Sequence, residues 1–114
     1  MQVTFKSTNL QLTPTIKEYA QKKMDKLEKF FGHVKILNAD LELKMDSKHH
    51  DKGEIYSAEL NIELPHQLLR VEKTEKDIIK AIDKVEDHMQ MLLKKYKEKR
   101  IAKRIRNQDT GIGN

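Results

Sequence analysis

The chain has 114 residues, 37% of them hydrophobic and 36% charged, which is enough for one core but not two. It contains no cysteine, which excludes disulfides, thiolate metal sites and cysteine nucleophiles together. The formal net charge is +5, and no apolar run is long enough for a transmembrane helix or a signal peptide, so the expectation is a cytoplasmic protein.

Residues 1–7 alternate, with Met1, Val3 and Phe5 on one side and Gln2, Thr4 and Lys6 on the other, as in a half-buried strand. Thr13-Pro14 then supplies an N-cap and an N1 proline, whose missing N–H costs nothing there. Ile16, Tyr19, Ala20, Met24, Leu27 and Phe31 follow at helical spacing, and Gly32 provides the stop. Next, Ala39, Leu41, Leu43 and Met45 alternate with Asp40, Glu42 and Lys44. Tyr56, Ala58, Leu60, Ile62 and Leu64 alternate with Ser57, Glu59, Asn61 and Glu63, so a long hairpin joined by Asp46–Gly53 is expected. Val34 and Ile36 have the opposite parity, which implies a bulge or a late strand start near Leu37-Asn38. Pro65-His66-Gln67 turns the chain into a short fourth strand around Leu68–Glu72.

Thr74 and Asp77 have the spacing of a capping box. Ile78, Ile82, Val85, Met89, Leu92 and Tyr96 then repeat at steps of four and three, predicting a helix to Tyr96 or as far as Arg106. A coiled-coil seam has the same spacing, but fewer than three heptads favour core packing. The order β-α-β-β-β-α predicts an α+β fold: a four-stranded sheet with both helices on one face. Residues 1–100 form the domain, and 101–114 are expected to be a basic, then flexible, tail.

The charge is unevenly placed. Lys94 to Arg106 holds eight Lys/Arg and one acid, a net of +7 that leaves −2 for the remainder. A polyanionic partner and a solvated helix end are the two readings of such a segment. The open sheet face (Gln2, Thr4, Lys6, Asp40, Glu42, Lys44, Ser57, Glu59, Asn61, Glu63) carries four acids, two lysines and no aromatic. It lacks what RNA-recognition sheets use, exposed aromatics over a basic field. The helices differ. Lys22, Lys26 and Lys29 share one flank of the first, with Lys23 at the edge of its apolar stripe. Lys76, Lys80 and Lys84 recur every four residues around the second, and Lys95 continues the line. Asp83, Glu86 and Asp87 are read as helix surface. The expectation is that both lysine rows face a shared groove and bind phosphates as point charges; solubility and i,i+4 pairing are the competing explanation. His49-His50 between Asp46 and Asp51 is a weak metal motif and reads as a solvated loop tip. No motif of an enzyme or cofactor site is present in the sequence.

Asn9-Leu10-x-Leu12-Thr13-Pro14 leading into Tyr19 and Lys22–Phe31 resembles the ribosome hibernation promoting factor family in its short form. So do Leu68-Leu69-Arg70-Val71-Glu72, Asp77-Ile78-Ile79-Lys80-Ala81-Ile82-Asp83 and Leu93-Lys94-Lys95-Tyr96-Lys97. Two departures are Thr8, where the family often has glycine, and Ile79, where an aromatic is common. The resemblance implies a fold similar to double-stranded-RNA-binding domains and binding to the small ribosomal subunit and its rRNA in the decoding channel. There the protein blocks mRNA and tRNA as a non-enzymatic translation inhibitor, and ribosome dimers are a further partner state. It also implies rRNA contacts through Lys22, Lys26, Lys29, Lys80, Lys84, Lys95 and Arg70. Lys23, Lys76, Lys94, Lys97, Lys99 and Arg100 complete the candidate RNA-binding set. The free protein is expected to be a monomer without a cofactor. A generic duplex-RNA module and a protein domain dimerising along the second helix are the alternatives.

Overall fold

The computed structural model describes residues 1–46 and 53–112, with side chains as far as Ile105; His49-His50 lie outside the described residues. The elements are β1 (Thr4–Thr8), α1 (Pro14–Phe31), β2 (Asn38–Asp46), β3 (Ile55–Leu64), β4 (Gln67–Glu75) and α2 (Ile78–Ile112). They follow the expected order. The sheet runs β1-β2-β3-β4, with β1 parallel to β2 and the other pairs antiparallel.

Local chemistry sets each boundary. Thr13 is extended, and its hydroxyl accepts from the Ile16 N–H at 3.3 Å, so α1 starts at Pro14. Gly32 ends it at φ 56°, a left-handed value that a side chain would strain. Residues 33–37 lie outside any strand, so β2 starts late, and the Leu37 N–H is bonded to the Glu63 carbonyl at 2.8 Å. Leu64 pairs with Gln67 across a two-residue turn. The fourth strand is longer than predicted, because pairing with β3 continues to Glu75 opposite Tyr56.

That extension overturns the capping box. Thr74 is a strand residue opposite Ser57. The cap of α2 is Asp77 alone: its carboxylate accepts from the Ile79 N–H at 2.9 Å and its carbonyl from the Ala81 N–H at 3.1 Å. At the other end, the backbone of α2 continues helical to Ile112, past the Arg106 limit expected for the helix and into the segment expected to be flexible. Ala102, Lys103, Arg104 and Arg106 are good helix formers, whereas residues 107–112 as a stretch have no such local propensity.

All core strand residues point to one side. Ala39, Leu41, Leu43, Ala58, Leu60, Ile62, Leu64, Leu69 and Val71 are buried, while their outward neighbours are not. Ala20, Met24, Leu27 and Phe31 of α1 cover this face together with Ile78, Ala81, Ile82, Val85, Met89 and Leu93 of α2. Leu93, not the predicted Leu92, completes the α2 stripe. The stripe is therefore consumed within the chain's own core. Tyr19 meets Asp83, Lys26 meets Glu86 and Lys97 meets Phe30, so the two helices run parallel.

Asp77→Ala should lower stability by about 1 kcal/mol in urea unfolding, the usual cost of a lost N-cap. Thr74→Ala should cost less than about 0.5 kcal/mol, as an exposed strand position does.

Candidate nucleic-acid interface

Two of the acids read as helix surface lie in the seam between the helices. Glu86 is fully buried. Its Oε1 lies 3.6 Å from the Lys26 Nζ, and its other oxygen accepts from the Gln90 amide. One turn earlier, Asp83 Oδ1 lies 3.2 Å from the Lys23 Nζ and accepts from the Tyr19 hydroxyl. The hydrogen bond to Asp83 holds both the Tyr19 phenol and the Lys23 ammonium above their ordinary pKa values. Periodicity gives each residue's angle around α2, but not the flank on which α1 packs, so these contacts are not legible in spacing.

The seam sorts the candidate lysines. Lys23 and Lys26 serve as counter-ions there, with Lys26 still half-exposed. Lys97 donates to the Phe30 carbonyl at the end of α1. Lys22 and Lys29 project from the side of α1 opposite its buried residues, and Lys80 and Lys94 do the same on α2. Among the described residues these four are exposed and have no carboxylate at ion-pair distance. Lys95 and Lys99 are exposed as well. Arg100 lies over the Tyr96 ring, 5.6 Å from its centroid, and donates to its hydroxyl at 2.9 Å.

Three expected members are placed differently. Lys76 precedes α2 and belongs to the connection from β4. Lys84 is ion-paired with Glu75 of β4, so the Lys84–Lys95 line lies on the flank away from α1. The two rows therefore do not face one another across a groove: Lys22, Lys29, Lys80 and Lys94 share the outward side of the helix layer, and the Lys84–Lys95 line lies on its far flank. Arg70 lies on the other face of the sheet, between the inward Leu69 and Val71. It is opposite Asn61, and its guanidinium is 2.8 Å from the Glu59 carboxylate.

The open sheet face is acidic and internally bonded. Glu42 takes Lys6 at 3.8 Å, Lys44 at 3.5 Å and the Thr8 hydroxyl at 2.9 Å. The Asn61 amide and then Arg70 hold the Glu59 carboxyl below its ordinary range. The sheet face thus carries carboxylates tied into ion pairs, whereas the outward side of the helix layer carries the free lysines together with the exposed acids Glu18, Asp25 and Asp87.

The family profile described as Sigma 54 modulation protein / S30EA ribosomal protein matches residues 2–101. The chain belongs to this family. Curated relatives include the ribosome hibernation promotion factors of Bacillus subtilis (strain 168) and Lactococcus lactis subsp. cremoris (strain MG1363). The first is 26% identical over 108 residues, 95% of this chain and 54% of the relative. The second is 30% identical over 99 residues, 87% of this chain and 50% of the relative. The chain thus spans about half the length of these family members. Among solved structures, the N-terminal domain of Thermus thermophilus Protein Y superposes with a TM-score of 0.69 at 27% identity, covering 84% of this chain and 99% of that one. A ribosomal subunit interface protein from Coxiella burnetii has the same fold, with a TM-score of 0.68 at 17% identity over 86% of this chain and 99% of its own. Among the described residues, no helix is long and apolar enough to cross a membrane.

Two outcomes test this electrostatic layout. Lys26→Gln should cost about 1 kcal/mol or more in chemical unfolding, because it strips a buried carboxylate of its cation, whereas Lys22→Gln should cost less than about 0.5 kcal/mol. Glu59, with its folded pKa lowered, contributes stability that is full above the ordinary value of 4.5 and is lost as pH falls through the lowered one. Unfolding free energies measured between about pH 5 and pH 3 should therefore fall less steeply for Glu59→Gln than for the parent.

Proposed function

We propose that this chain is a ribosome hibernation factor: a non-enzymatic translation inhibitor that binds small-subunit rRNA in the decoding channel and blocks mRNA and tRNA. The observation that carries the reading is the set of exposed, unpaired lysines on the outward side of the helix layer, Lys22, Lys29, Lys80 and Lys94. Family membership and relatives named for ribosome hibernation support the partner.

The mechanism is occupancy. Lysine ammonium groups contact phosphates as point charges, so they position a protein on folded RNA without reading its sequence. Acids outnumber cations on the sheet face, which disfavours approach from that side. A rigid body seated this way excludes other ligands by volume. Lys23, Lys84 and Arg70, each already engaged with a carboxylate, contribute less to binding than the free set. Lys26 has a double role, and its charge reversal would confound binding with folding.

Cosedimentation with purified small subunits across a salt series tests the reading. Lys22→Gln, Lys29→Gln, Lys80→Gln and Lys94→Gln together should reduce the log–log salt slope by about three and abolish binding at moderate salt. Arg70→Ala should change affinity by less than about twofold, since an exposed ion pair contributes little. Undiminished sedimentation of the fourfold variant, or equal competition by a plain RNA duplex, overturns the proposal.

A further inference from the structure

The inner stripe of α2 changes character where the helix leaves the domain. Through Ile78, Ile82, Val85, Met89 and Leu93 it is apolar and buried. The next turns on that side carry Lys97, Arg100 and Arg104. Lys97 still touches the end of α1 through the Phe30 carbonyl. From there α2 runs on for 15 residues, about 22 Å at 1.5 Å per residue, with Ile101 still beside Phe30 and Phe31 at the end of α1.

The overhang therefore faces the edge of the domain across a cleft of about 640 Å³. Lys97, Arg100 and Arg104 line one side, His33 and Lys35 of the α1–β2 connection another, and His66 of the β3–β4 turn closes it. No carboxylate lines the cleft, and among the described residues none of these six side chains is ion-paired to an acid. The carbonyl end of α1 opposes an anion with about half a charge, which four formal cations outweigh. Ile101 adds an apolar wall. Lys97 and Arg100 are held by the Phe30 carbonyl and by Tyr96, whereas Lys35 and Arg104 have no partner among the described residues. Cations without acids, beside an apolar surface and in a volume typical of small-ligand clefts, suit a phosphate ester with a sugar or base attached.

We infer that this cleft binds the phosphate of a nucleotide, presented by a single RNA strand or free in solution. Arginines supply forked donors to phosphate oxygens, and Ile101 takes the nucleoside side. The site is separate from the outward lysines. It deepens the ribosome-binding reading, on which it rests for its biological partner, by adding an unpaired strand as a second contact.

The test uses the full chain, a fluorescent oligouridylate of about ten nucleotides, and UTP as competitor. Combined Lys35→Gln, Arg100→Gln and Arg104→Gln should weaken oligouridylate binding at least tenfold and lower the salt slope by about two. Arg100→Lys with Arg104→Lys should retain most of that slope, and thermal unfolding should be unchanged in both variants. Backbone amide NMR shifts on titration should cluster at residues 32–36 and 97–104. Displacement by UTP assigns the site to free and strand phosphates alike, whereas binding of the strand alone assigns it to RNA backbone. Parental affinity and slope in the triple variant, or shifts confined to Lys22–Lys29, overturn the inference. A parent chain that binds oligouridylate in the cleft but does not sediment with small subunits removes the ribosome reading and leaves the cleft. Sedimentation without cleft binding does the reverse.

Discussion

The burial of one carboxylate constrains much of what this molecule presents to its surroundings. Removing Glu86 from water carries a desolvation cost, offset in part by the Lys26 charge and the Gln90 amide, since Oε1 accepts no hydrogen bond among the described residues. Asp83 repeats the arrangement one turn earlier with Lys23 and Tyr19. Two such contacts on successive turns set the rotation of α1 about its own axis. Once that rotation is set, Ala20, Met24 and Leu27 face the sheet, and Lys22 and Lys29 must face outward. The polar seam thus orients the cations that the apolar core alone would leave less well defined.

This gives the lysines two kinds of role. Some act within the fold as counter-ions, and their charge is largely cancelled at a distance. Others are exposed on the outward side of the helix layer without an ion-pair partner, next to the equally exposed acids Glu18, Asp25 and Asp87. Net charge alone would describe the protein as mildly basic; the arrangement decides which of its cations are free and which are already paired. Salt weakens the attraction of such free cations for any polyanion.

Much of the fold could be read from residue order because each element carries a strong local signal. Thr13-Pro14 and Gly32 bracket α1, and strict alternation marks β2 and β3. Prediction was weaker where a tertiary partner decides the outcome. Thr74 resembles a cap until β3 is known to pair with it, and the end of β4 depends on the same ladder. At the candidate site, the sequence identified the cations but not their companions. Lys84 looks free until Glu75 is folded beside it, and Arg70 shares a motif with helix-facing residues while its strand parity sends it to the other face. Angular position on a helix follows from spacing, whereas the flank chosen by a neighbour depends on how two elements pack.

The parallel pairing of β1 with β2 has a consequence for how the sheet comes together. Thr4 is matched with Asp40, 36 residues away, whereas Leu64 and Gln67 meet across a two-residue turn. Chain-closure entropy grows with the logarithm of the enclosed segment, so the amino-terminal edge is entropically the dearest of the three junctions. It is also matched along only five positions, against nine for the neighbouring pair. That strand is therefore the natural weak margin of the sheet, the place where transient fraying begins while the meander beside it stays closed.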